Sequence, residues 1–172
     1  SIRELDKELI ININNVNNNN VGESYDKFDA LIATSTGFVK GMDSTYTFQG
    51  YKVYQLKDDK VSATDLDDPT KALLLTEEGG LMDLKDDVKR LVNYTRDPIL
   101  NIYYPTVNLE LPNNGITHSL RILKDKFTGS PLVNHKTYYY AAVAFASNEF
   151  KKYDPGNPTV DGQKTTYLQG AK

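Results

Sequence analysis

Apolar residues fall along this chain in short runs set apart by stretches rich in Asn, Asp, Gly and Pro, and most runs alternate with a period of two. The clearest run is Lys136 to Ala146, with sequence KTYYYAAVAFA, which is apolar on both alternating faces. A strand covered on both sides loses the polar half of its alternation, and Tyr, Val and Phe suit the pleated surface, so this segment predicts a central strand. Tyr46 to Leu56 predicts a second one, with Phe48, Gly50, Lys52, Tyr54 and Leu56 on one parity and Tyr51 and Val53 on the other. Gly50 inside it signals a bulge or a close backbone approach. Glu8–Ile13 reads as the first strand and Ile116–Leu123 as a later one, the latter with Ile116, Leu120 and Ile122 on one face. Thr165–Leu168 reads as the last strand, and residues 25 to 41 as a strand region without a clear register.

The middle of the chain is mixed. Ser62–Leu66 predicts one helical turn ended by Pro69, and Lys71–Thr76 a short strand. Leu81, Leu84, Val88 and Leu91 recur at helical spacing and predict a short amphipathic helix. Ile99–Tyr104 and Val107–Leu111 predict two strands broken at Pro105. The asparagine-rich tract Asn14–Gly22 and the stretch Asp154–Pro158 predict loops, because Asn tolerates left-handed backbone angles and Pro halts a strand. Many strands with turn signals between them imply an all-β sandwich.

Composition narrows function mainly by exclusion. At 172 residues the chain can bury ~70% of its unfolded surface, enough for one sizeable core. A net charge of −3 without a basic stripe argues against nucleic acid as a partner. With no cysteine, thiolate chemistry and cysteine-bound zinc are excluded. The longest apolar run, Tyr138–Ala146, is too short for a spanning helix, so no membrane insertion is expected. Ser1–Glu4 has no initiator Met, basic region or apolar core of a signal peptide, and the chain reads as excised from a longer protein.

Candidate chemistry is sparse. His118, Ser119 and Asp125 assemble a triad on paper, but no nucleophile elbow surrounds Ser119, and His135 sits in a turn. Asp65, Asp67 and Asp68 offer hard oxygen ligands for calcium, the one cofactor considered, without the spacing of an EF-hand loop. Gly79–Gly80 lacks the Lys-Ser/Thr of a phosphate loop, and Asn93-Tyr94-Thr95 matches a glycosylation acceptor. Twelve tyrosines exceed what a core can take, and exposed ones anchor interfaces or stack on sugars; Tyr103 and Tyr104 are the candidate ligand-binding pair.

Phe48–Tyr54 and Leu132–Ala144 together resemble the third and sixth strands of a fibronectin type III domain, an immunoglobulin-like sandwich. That resemblance implies that Tyr138 is the tyrosine corner, its hydroxyl bonded back to the preceding turn, with Tyr140, Ala142 and Ala144 facing the core. With Ile2–Glu8, Asp161–Lys164 and Tyr167-Leu168, the chain is also similar to modules of secreted Bacteroidetes-type surface proteins. It departs from the family in lacking the core Trp and in exceeding the usual ~100 residues, which places an insertion at residues 57–115 of one domain spanning 1–172. The resemblance implies a non-enzymatic extracellular or cell-surface module that spaces or docks neighbouring domains or other surface proteins. A carbohydrate-binding module for polysaccharide is the alternative, and a hydrolase the second.

Overall fold

The computed structural model describes residues 1–13, 26–34, 39–148 and 164–169. The asparagine tract, Gly37, Phe38, Tyr153, the loop expected at 154–158 and residues 161–163 lie outside them. The described chain is nearly all β, in several antiparallel sheets, consistent with the all-β sandwich expected from the alternation.

A small sheet is built from β1 (Ile2–Leu5), β2 (Glu8–Asn12) and β9 (Ser119–Ile122), in the order β1-β2-β9. The larger sheet centres on β4 (Thr45–Leu56) and β10 (Tyr139–Ser147), flanked by β11 (Tyr167–Gln169) on the β10 side and β3 (Asp26–Phe28) on the β4 side. Two short strands, β5 (Ala72–Leu74) and β6 (Leu81–Asp83), also pair with β4. Ile11, Leu120 and Ile122 of the small sheet pack against Phe48, Tyr51 and Val53 of β4 to form the main core. Such interdigitation of two inner faces is how a sandwich buries its apolar positions.

The other face of the large sheet is covered as well. A hairpin of β7 (Arg90–Arg96) and β8 (Tyr103–Glu110) brings Leu91 and Leu109, with Leu111 just beyond, onto Phe145. Leu66, at the end of a short 3-10 turn over Ala63–Asp65, packs on Tyr54 and Ala72, with Val143 beside them. Strand β10 is therefore apolar on both faces because residues 61–111 lay a third layer on the side away from the small sheet. Tyr140 and Ala144 pack on the main core while Val143 and Phe145 face the added layer; Ala142, expected in the core, is exposed.

Several expectations are corrected. On β4, Phe48 lies on the same core face as Tyr51 and Val53, which simple parity puts opposite. The cause is a bulge: Gly50 pairs with Phe145 and Phe48 with Ala146, so Gln49 is the extra residue and flips the alternation. Gln49 is held there by Ser147 Oγ, which donates to its Oε1 at 2.9 Å, and by Asp86 Oδ2, which accepts from its Nε2 at 2.8 Å. Gly50 is hemmed in on both sides; a Cβ on it would lie 2.2 Å from the Met82 carbonyl oxygen and 2.7 Å from the Phe145 ring. Both meanings of a strand glycine, bulge and close approach, meet at adjacent residues.

Leu81–Val92 is no helix. Leu81 starts β6 and Leu91 lies in β7, and the turn between them is held by Asp86, which accepts from the Val88 amide at 2.8 Å. Leu81, Val88 and Leu91 still converge on one cluster, but by strand, turn and strand, since β4 and β8 supply backbone partners that an isolated helix lacks. Residues 97–102 form a turn, and β8 runs through Pro105 without a break. Pro105 pairs with Tyr94, whose amide donates away from β8, to the Lys164 carbonyl at 2.7 Å. That makes the pair a non-hydrogen-bonded one, so the proline lacks an N–H only where the ladder asks for none. Leu31 and Ile32 belong to α1 (Ala30–Ala33), capped by Asp29, which accepts from the Leu31 amide at 2.8 Å, and not to a strand. Strand β1 gives no apolar signal, all four residues being exposed; it is held by a two-residue turn in which Lys7 takes a φ of 52°.

Candidate functional site

Where the two sheets part, a cleft of about 660 Å³ opens between the β1–β2 turn and the loop of residues 132–138 that feeds β10. Its wall is built around Tyr138, whose hydroxyl accepts the Val133 amide at 3.0 Å and whose ring carries Lys136 Nζ 4.8 Å from its centroid. Asn134 ties the loop to the opposite turn: its Oδ1 accepts from the Lys7 amide at 2.8 Å and its Nδ2 donates to Asp6 Oδ1 at 2.7 Å. Behind the loop, buried Asp125 accepts from Gln55 Nε2 at 2.8 Å, from the Phe127 amide at 3.1 Å and from Lys136 Nζ at 2.9 Å. Burial pushes its carboxyl up, yet Lys136, Gln55 and the amide together hold it below the usual carboxylate range. The Tyr140 hydroxyl is buried without a partner among the described residues, and burial raises its pKa.

A second groove, of about 540 Å³, runs between the β7–β8 hairpin and the ends of β4 and β10, with Tyr94 and Pro105 on one wall and Thr47, Ser147 and Thr166 among its polar lining. Tyr103 and Tyr104 do not form one platform. As neighbours on a strand they point to opposite faces: Tyr103 pairs with Arg96 on the face of Tyr94, Tyr104 with Thr95 on the other. Tyr103 is half-buried under Lys164, whose Nζ lies 5.0 Å from its ring centroid, while Tyr104 is exposed. The tyrosines that share one face of the hairpin are Tyr94 and Tyr103.

The acidic loop is internally engaged. Asp65 closes a capping box with Ser62 and bonds Lys71 Nζ at 2.6 Å; Asp68 accepts from the Thr70 amide at 2.9 Å and hydroxyl at 2.7 Å, and Asp67 is exposed. Among the described residues no three His, Cys, Asp or Glu side chains come together as metal ligands would. The paper triad does not assemble either: Asp125 bonds Lys136 and Gln55, and His118 is exposed. His135 is exposed too, at a φ of 64°. The Asn93 side-chain oxygen accepts the amides of Thr166 at 2.9 Å and Tyr167 at 3.1 Å, tying β7 to the start of β11.

Two further charges, Lys52 and Asp83, are buried. Lys52 sits in the added layer with Nζ 5.4 Å from the Tyr54 centroid and 5.3 Å from that of Tyr167, donating to Gln169 Oε1. Burial lowers its pKa to about 8, with Asp67 opposing. Sequence reasoning missed Lys52, although a lysine between Tyr51 and Val53 in an apolar strand was an available signal. Asp83 is fully buried; its Oδ1 accepts the Asn113 amide at 2.9 Å, and Oδ2 has no partner among the described residues. Burial raises its pKa against the pull of the Asn113 and Asn114 amides.

Comparison with known protein families, with curated proteins and with solved structures finds no match for this chain.

Proposed function

We propose that this chain is a fibronectin type III-like, non-enzymatic module of a larger extracellular or cell-surface protein, serving to space or dock its neighbours. The observation that carries this reading is the internal engagement of Asp125, Gln55, Gln49 and Asp86, which, with the exposed Lys136, bond one another or the backbone in ways that fix loops and a bulge. Groups held so tightly in internal bonds suit a scaffold; a proton-transferring residue needs a substrate within reach. The family likeness is supported by the strand order, β1-β2-β9 facing β11-β10-β4, and by the Tyr138 hydroxyl bonded back to Val133. Protease shaving of intact source cells tests the location. Peptides from Arg90–Glu110 in the released fraction support a surface module, and their recovery only after lysis overturns it.

Binding of polysaccharide is a second reading, favoured by Tyr94 and Tyr103 sharing one face of the hairpin beside the 540 Å³ groove. Amide-shift titration with a glycan panel checks it: shifts at Tyr94 and Thr166 that vanish in Tyr94→Ala support it, and no shift with any glycan removes it.

A further inference from the structure

The buried lysine of β4 faces an unusual partner. A lysine taken out of water is either kept charged by a carboxylate or sheds its proton. Lys52 is 5% exposed, no carboxylate pairs with it among the described residues, and its Nζ donates to the carboxamide oxygen of Gln169. Burial brings its pKa down to about 8, so part of it is the neutral, nucleophilic amine near neutral pH and most of it is above that value. The contact crosses the sheet. Lys52 pairs with Val143 on β10, and Phe145, two residues on, pairs with Gln169 on β11, so the two side chains meet over β10 from the strands on either side of it. The rings of Tyr54 and Tyr167, with centroids 5.4 and 5.3 Å from Nζ, wall the amine in. The Tyr167 hydroxyl also donates to the same Gln169 Oε1, at 2.7 Å. Two donors on one carboxamide oxygen polarise its carbonyl and are placed to take up charge as a tetrahedral centre forms. Gln169 is only half-buried, which leaves its amide nitrogen a way out to solvent.

We propose that Lys52 and Gln169 react with each other to form an intramolecular amide bond that ties β4 to β11. The neutral Nζ attacks Gln169 Cδ, the Nζ–Cδ bond forms, and Tyr167 steadies the oxyanion developing on Oε1. One Nζ proton passes to Nε2, the Cδ–Nε2 bond breaks, and ammonia leaves. No oxidant, cofactor or second protein enters. The fold supplies the drive by holding amine and amide in contact, at an effective concentration of ~10⁵ M or more. The bond joins residues 117 apart in the chain and clasps a strand that pairs with β10 over only three residues. A freshly folded chain carries Lys52 as a titrating amine, and the bond accumulates as the protein ages.

The test is intact-mass spectrometry of the 172-residue protein, fresh and after incubation in the folded state at a pH above the Lys52 pKa of about 8. A deficit of one ammonia that grows with time and is absent in Lys52→Met and Gln169→Ala supports the bond. So does a branched tryptic peptide joining residues 41–57 to residues 165–172. That peptide is read on the unsubstituted protein, so the assay stands even where a substitution unfolds the chain. In Tyr167→Phe the deficit should grow ~10²-fold more slowly, and an undiminished rate there overturns the part given to its hydroxyl. A mass that stays at the sequence value throughout, a digest without the branch, or a deficit that Lys52→Met retains overturns the proposal; the last marks ammonia lost elsewhere in the chain.

Discussion

The hydroxyl of Tyr138 takes the Val133 amide at 3.0 Å, closing the loop that aims β10 into the sandwich. It bonds a backbone donor five residues upstream, and the ring keeps Lys136 poised over it while that amine reaches Asp125. Tyr138→Phe removes one hydrogen bond and leaves the ring in place. We expect a loss of ~0.5–1.5 kcal/mol in urea unfolding, with the slope unchanged. An unaltered midpoint would mean that the bond contributes nothing to closing the loop.

Gly50→Ala is expected to be far worse. The added methyl would sit 2.2 Å from the Met82 carbonyl oxygen and 2.9 Å from Asp83 Cα, both backbone atoms of β6, which cannot move without leaving β4. We expect a loss of ~3 kcal/mol or more, measured by the denaturation midpoint. Gly79→Ala makes a useful contrast: its cost comes from a φ of 78° in open space and not from a clash, so it should be the smaller, ~1 kcal/mol.

Asp125 and Lys136 respond differently to substitution although they bond each other. Asp125→Ala leaves Gln55 Nε2 and the Phe127 amide without an acceptor, at a cost of ~3 kcal/mol. Lys136→Met leaves the buried carboxylate two of its three donors, and raises its pKa. The Asp125 pKa lies below the unfolded value of 3.8, so its contribution is present above that pH and lost as pH falls through the folded pKa. In Lys136→Met the acid loss therefore begins at a higher pH, which urea midpoints taken from neutral pH down into the carboxylate range will reveal.

Lys52 gives stability an unusual alkaline limb. Its pKa is about 8 in the fold against 10.5 unfolded, so between those values the unfolded chain holds the extra proton and stability rises with pH. Tyr54 runs the other way: burial raises it to about 12 from 10.0, so above pH 10 the unfolded chain loses its proton first and stability falls. The expected profile climbs by ~1–3 kcal/mol from about pH 8 and turns over near about pH 10. In Lys52→Met the climb should vanish while the fall remains, as measured by chemical unfolding across that range.

The hairpin shows why part of the candidate site was hidden in the sequence. Tyr103 and Tyr104 stand out as a pair when read along the chain, but neighbours on a strand are separated by the strand itself, and the true face-mate of Tyr103 is Tyr94 across the ladder. That register depends on the bulge between Leu91 and Val92 and on the turn capped by Asp97, and neither is announced by an apolar pattern. Lys52 was hidden for a related reason: the side chains that surround its amine, Tyr167 and Gln169, lie far from it in sequence.

The alternation of apolar residues by itself determined the strands that form the interior, β2, β4, β9 and β10, because a period of two leaves a chain few other ways to bury one face. It also determined that β10 would be covered twice. Only the tertiary structure decided what covers it, a hairpin and a 3-10 turn from the middle of the chain, and turned the helical spacing of Leu81, Val88 and Leu91 into strand, turn and strand. Local pattern specifies how a segment hides its own side chains. Which backbone it pairs with is set by partners distant in sequence, here through the extra residue Gln49, the close approach at Gly50 and the proline in a non-bonded pair at position 105.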